Sequence, residues 1–224
     1  MAHTATHTAR LLGASLRALL LLTLVTGVLY PLVVTGAAQA LFPAQADGSK
    51  VSAGGREVGS ALIGQGYTLP PDGTGGTAAP DPRWFQGRPA HGLGTDTRDP
   101  RHELLLSGAT NLAADNPVLV RRVAEAKAAV VRDNSVPGHP VDPADVPADA
   151  VTSSASGLDP HISPRYARLQ VRRVARENGL TAAPVARLVT AHTEGRTLGF
   201  IGEPRVNVLA LNSALRELTA ESRG

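Results

Sequence analysis

Residues 153–170 read SSASGLDPHISPRYARLQ. Ser153, Ser154, Ala155, Ser156 and Gly157 are small and let a backbone come close to another surface. Ser163 is a good N-cap, and Pro164 stands at the first helical position, where its missing N–H costs nothing. The spacing predicts a loop over 153–162, then a helix from Pro164 to Asn178 stopped at Gly179. Its apolar side is Ala167, Val171 and Val174. Arg165, Arg168, Arg172 and Arg176 share another side, either as a solvated face or as a dock for acidic protein or lipid headgroups. The helix start aims Asp159 and His161, and function tends to sit on loops held by a scaffold. The plainer alternative is turn chemistry, with Asp159 an Asx-turn residue before Pro160. No G-x-x-x-x-G-K-[ST] occurs, so the loop is not a phosphate-binding P-loop.

Upstream, Arg10 and Arg17 precede an uncharged run from 18 to 46 with an apolar heart at 18–41. That is long enough to cross a bilayer, with Pro31 a tolerated kink. Basic residues at the near end place the N-terminus inside. Ala38-Gln39-Ala40 has the small-x-small form of a signal-peptidase site, but the run exceeds the usual ~7–15-residue core of a signal peptide, which favours an uncleaved anchor. The expected division is a cytoplasmic N-terminus (1–10), disordered over Met1–Thr8, a transmembrane anchor (11–41), a flexible Gly/Pro-rich membrane-proximal segment (42–82) and an extracytoplasmic domain (83–224).

Within these limits, Val58, Ala61, Leu62 and Ile63 form a short strand ended by Gly64 and Gly66. Residues 70–82 are an insertion or linker, and Trp84-Phe85 is a core or membrane-surface anchor. Arg88 is either a carboxylate anchor or a solvated side chain. Residues 91–102 form a polar loop without metal-ligand spacing. A helix capped by Asp115 or Asn116 runs from Pro117 to about Arg132, with Leu119, Val123, Ala126 and Val130 on one face. A short helix follows Pro184, a strand spans 197–201, and Val208, Leu211, Leu215 and Leu218 mark a last helix. The fold class is α+β: one N-terminal transmembrane helix followed by a single mixed extracytoplasmic domain.

Net charge is +3, too small to demand a nucleic-acid partner, and the aromatic share of 3% leaves few stacking platforms for single strands, so no nucleic acid is expected. There is no cysteine, so disulfides and thiolate metal sites are excluded.

Four blocks carry a resemblance: Gly87-Arg88-Pro89; SGATNL at 107–112; SASGLDPHISP at 154–164; and GEPRVNVL at 202–209. Together with the single anchor and the length, they make the chain resemble the KdpC family, the C subunits of Kdp potassium-transporting ATPases. The family usually has RPS and SGGSN where this chain has Arg88-Pro89-Ala90 and Ser107-Gly108-Ala109-Thr110-Asn111. The loops 70–82 and 91–106 are also longer than is usual for it. The resemblance implies an accessory subunit in the cell membrane. Its partners would be a channel-like potassium-binding subunit, a P-type ATPase subunit, a small single-helix subunit and the lipid bilayer. It also implies a catalytic chaperone that raises the ATP affinity of the pump subunit, with no tightly bound cofactor and ATP met only through the complex. The chain has no D-K-T-G phosphorylation sequence and too few spans for a pore. Candidate contact residues are Arg88, Asn111, Ser154, Ser156, Asp159, His161, Ser163, Glu203, Arg205 and Asn207. A second reading is an exported or anchored hydrolase using Ser154, Ser156, Asp159 and His161, although no G-x-S-x-G elbow is present.

Overall fold

The computed structural model describes residues 2–70, 79–91, 93–96 and 104–222. The chain divides into two units, Met1–Lys50 and Val51–Gly224.

In the first unit, α1 (Ala2–Leu24) passes through a π-helical turn (Val25–Leu29) into α2 (Tyr30–Leu41), followed by the short α3 (Pro43–Ala46). The π turn answers Pro31. A proline inside a helix removes one donor and presses on the carbonyl of the preceding turn; the wider i→i−5 geometry gives that carbonyl room. Tyr30 N–H accordingly donates to Val25 O. His7–Leu41 has mean hydropathy 2.2 over its best window, with none of that window buried, and is the one described helix long and apolar enough to cross a membrane. Residues 2–8, expected to be disordered, are helical and continue the apolar helix as the first turns of α1. Ala38-Gln39-Ala40 lies inside α2.

The second unit is α+β, as expected. β1 (Lys50–Ala53) and β2 (Arg56–Ser60) pair through Gly54 and Gly55, whose φ values of 58° and 75° suit a tight hairpin turn. β2 stops at Ser60. Residues 61–63, expected in that strand, turn instead and leave Leu62 and Ile63 exposed. Part of the expected polar loop at 91–102 is strand: β3 (Gly94–Asp96) pairs antiparallel with β4 (Leu104–Leu106), Gly94 opposite Leu106. Residues 71–78 of the expected insertion, and Asp99 and His102, lie outside the described residues.

Helix α4 (Pro117–Asn134) starts where the Asn116 side chain accepts the Val118 N–H at 2.9 Å. After two 3-10 turns (Pro143–Asp145 and Ala148–Ala150) come β5 (His161–Ile162), α5 (Pro164–Glu177), α6 (Ala182–Ala191), β6 (Thr193–Glu194), β7 (Arg205–Asn207) and α7 (Val208–Glu221). β7 is the middle strand of an antiparallel sheet ordered β5-β7-β6. Pro184 lies in the first turn of α6 rather than before it, since a helix tolerates proline there. The strand expected at 197–201 is a closed turn, bridged only from Thr197 to Ile201, with Leu198 and Gly199 at positive φ. The true strand is β7, three residues further on.

The core forms where α5, α6 and α7 bury Ala167, Val171, Val174, Val185, Val189, Val206, Leu211 and Leu215 around Phe85, each 5% exposed or less. Around Phe85, polar side chains replace a sheet. Asn212 accepts Phe85 N–H (3.0 Å) and donates to Phe85 O (2.9 Å). Gln170 does the same for Gln86, at 2.7 and 3.0 Å. The two amides thus satisfy buried backbone groups that no strand reaches. Arg173 adds Nη2 to Gln170 Oε1 (2.7 Å), Nε to Asn134 Oδ1 (2.9 Å) and Nη1 to the Pro82 and Trp84 carbonyls. Burial lowers its pKa. Trp84 belongs to this core, with its ring against Tyr67 and the Arg216 guanidinium 5.5 Å above it.

Candidate functional site

Loop 153–161 leaves the second 3-10 turn and ends in β5. Its form comes from its own side chains: Ser154 Oγ accepts Gly157 N–H (3.0 Å), Ser156 Oγ accepts Leu158 N–H (3.1 Å), and Asp159 Oδ1 accepts His161 N–H (3.0 Å). The last is the Asx-turn bond of the plainer reading. Gly157 has φ 71° and packs on Leu93, so a side chain there would be both strained and crowded.

Arg88 ties the two ends of the loop together. It donates to Thr152 O (3.3 Å) and Ser153 O (3.4 Å) at one end and to Asp159 Oδ2 (3.3 Å) at the other. Arg88 is therefore a carboxylate anchor rather than a solvated side chain, with the two side chains 25% and 30% exposed. Gly64 closes the other side. Its N–H donates to Leu158 O at 2.7 Å, and a Cβ on it would stand 2.7 Å from Asp159 O, so the approach needs glycine. Pro160 O accepts Val208 N–H at 2.9 Å. His161 faces Asn207 across the β5–β7 pairing. Asn207 caps α7 through Ala210 N–H and donates to Ala61 O. Ser107 Oγ donates to Ser156 O at 2.8 Å. Ser163 caps α5 at Tyr166 N–H and is itself held by Asp149, which accepts both its N–H and its Oγ–H.

The structure thus brings Arg88, Ser154, Ser156, Asp159, His161, Ser163 and Asn207 into one assembly, beside a cleft of about 150 Å³ lined by Gly64, Arg88, Asp159 and Val208. It does not bring in Glu203 and Arg205, whose exposed carboxylate and guanidinium pair with Arg196 (2.9 Å) and Glu194 (2.8 Å). Asn111 is exposed at φ 51° in the β4–α4 connection, next to Thr110, which lines a separate cavity with Ser153. Among the described residues, no histidine or carboxylate is hydrogen-bonded to Ser154 or Ser156 Oγ, so neither serine has a base in place.

Gln86, Gln170, Arg173, Asn134, Asn212 and Asp149 escaped the sequence reading. The available signal was a polar residue inside an apolar helical stripe: Gln170 among Ala167, Val171 and Val174, and Asn212 among Val208, Leu211 and Leu215.

Fold and site define a class: an α+β domain on one membrane-length apolar helix, with a polar loop built for shape. Comparison with known proteins narrows this. The KdpC family profile, "K+-transporting ATPase, c chain", matches residues 12–217. The chain is 67% identical over 219 residues to the potassium-transporting ATPase KdpC subunit of Streptomyces coelicolor, covering 98% of this chain and 97% of that one. It is 63% identical to that of Streptomyces avermitilis (99% and 100% covered) and 48% identical to that of Gemmatimonas aurantiaca (90% and 89% covered). The chain belongs to the KdpC family, the C subunits of potassium-transporting ATPases.

Proposed function

We propose that this chain is the non-catalytic accessory subunit of an ATP-driven potassium uptake complex. It assembles with a channel-like potassium-binding subunit, a P-type ATPase subunit and a small single-helix subunit, and it acts as a catalytic chaperone that raises the ATP affinity of the pump subunit. Arg10 and Arg17 at the near end of the apolar helix favour a cytoplasmic N-terminus and an extracytoplasmic domain. ATP is cytoplasmic, so the effect on ATP travels through subunit contacts as a coupling free energy, without nucleotide seated on this domain. The observation that carries the reading is the family match over 12–217, which takes in both the helix and the whole Arg88–Asp159 assembly.

The test is to purify the complex with and without this chain and measure the KM for ATP of potassium-stimulated hydrolysis. A higher KM without the chain supports the chaperone role. An unchanged KM removes it, and intact assembly of the other subunits without the chain removes the assembly role.

A further inference from the structure

The arginine stripe of α5 plays no part in the Arg88–Asp159 assembly. Arg165, Arg168 and Arg172 border an open groove of about 490 Å³ whose far wall is the Pro-rich segment 138–145 and whose floor includes Leu169 and Val141. The acidic groups of that wall are already engaged: Asp145 pairs with Arg165 at 3.2 Å, and Asp142 caps the first 3-10 turn at Ala144 N–H. Arg176, one turn beyond the groove, pairs with its neighbour Glu177. Arg168 and Arg172 are exposed and have no carboxylate partner among the described residues. They stand at i and i+4, roughly 6 Å apart on one helix face. Carboxylates at i and i+2 of an extended chain are spaced about 6.6 Å apart, which matches.

We infer that this groove docks an extended acidic segment of a partner subunit, its carboxylates pairing with Arg168 and Arg172 and an apolar side chain resting on Leu169. The inference rests on the accessory-subunit reading above. A concave groove that also offers Leu169 and Val141 suits an extended peptide better than a flat bilayer, which would reach the arginines only across the rim.

The test uses the full-length tagged chain in its detergent-solubilised complex, washed with stepped salt, because pairing between exposed charges weakens as the Debye length shrinks. Arg168→Glu with Arg172→Glu should release the other subunits at clearly lower salt than the wild type, with roughly tenfold weaker retention. Arg176→Glu, the same kind of charge reversal outside the groove, should behave as wild type. Equal retention of all three forms overturns the inference. So does equal loss in both variants, which would reflect net charge alone. A wild-type chain that retains no ATPase subunit at low salt overturns the accessory reading itself, and the docking proposal with it. Unchanged subunit retention together with lost binding to phosphatidylglycerol vesicles assigns the stripe to lipid instead.

Discussion

On the inner side of α5, Arg173 is 4% exposed and gives its N–H groups to Asn134, Gln170 and main-chain carbonyls. On the outer side, Arg168 and Arg172 stand in solvent. The residue type is the same and the helix is the same, but the physics differs. Inside, the guanidinium replaces water for Asn134 Oδ1 and the Pro82 carbonyl, and removing it leaves them bare, while Gln170 Oε1 and Trp84 O keep donors from Gln86. Outside, water already solvates the charge, so the side chain is free to serve recognition at almost no cost to the fold. The arginines of α5 are therefore two populations, and only the inner one, Arg173, holds the domain together.

The strongest way to break this contrast is Arg173→Met, which keeps bulk and removes every donor. It should destabilise the domain by about 2–5 kcal/mol, from two buried acceptors left bare, seen in urea unfolding; a loss below about 1 kcal/mol would mean that the inner arginine is no more structural than the outer ones. Gln170→Met strips both partners from the Gln86 backbone and should cost about 2–4 kcal/mol by the same measurement.

Tyr166 sharpens the comparison through pH. Burial on the inner face raises its phenol from 10.0 to about 12. The folded state thus favours the neutral form. The stability this supplies is complete below pH ~10 and is lost as pH rises towards ~12, an amount on the order of 2–3 kcal/mol. Tyr166→Phe should flatten that part of the alkaline stability profile; an unaltered slope would assign it to another group. The smallest effect belongs outside: Arg168→Ala with Arg172→Ala should change stability by no more than about 0.5 kcal/mol. A loss comparable to that of Arg173→Met would show that the outer pair supports the fold after all.

The features legible in the sequence were those whose cause is local. Ser163 and Pro164 start α5 because a cap needs only the next turn, and Ala167, Val171 and Val174 show their burial by spacing alone. Asn116 at the head of α4 belongs with them. The amide bonds of Gln170 and Asn212 were not legible, because their partners lie 84 and 127 residues away. The β-rich residues at 197–201 looked like a strand, but the turn closes on itself and leaves Leu198 and Phe200 exposed. At the site, the Asx turn of Asp159 could be read directly, while its bond to Arg88 spans 71 residues and could not. An Asp159 held at both oxygens is a brace of the loop, not the free turn residue that its sequence neighbours imply.

The amide grip on Phe85 also sets an order of events. Both of its bonds come from Asn212 of α7, so until the ribosome has made α7 the buried main chain at 85 has no amide to accept its N–H. Closing a loop of that length is entropically slow, and contacts this distant in sequence form late. Closure of the centre is thereby coupled to synthesis of α7. A nascent or truncated product that stops short of Val208 lacks both hydrogen-bond partners of Phe85, and α7 seals that centre when it packs.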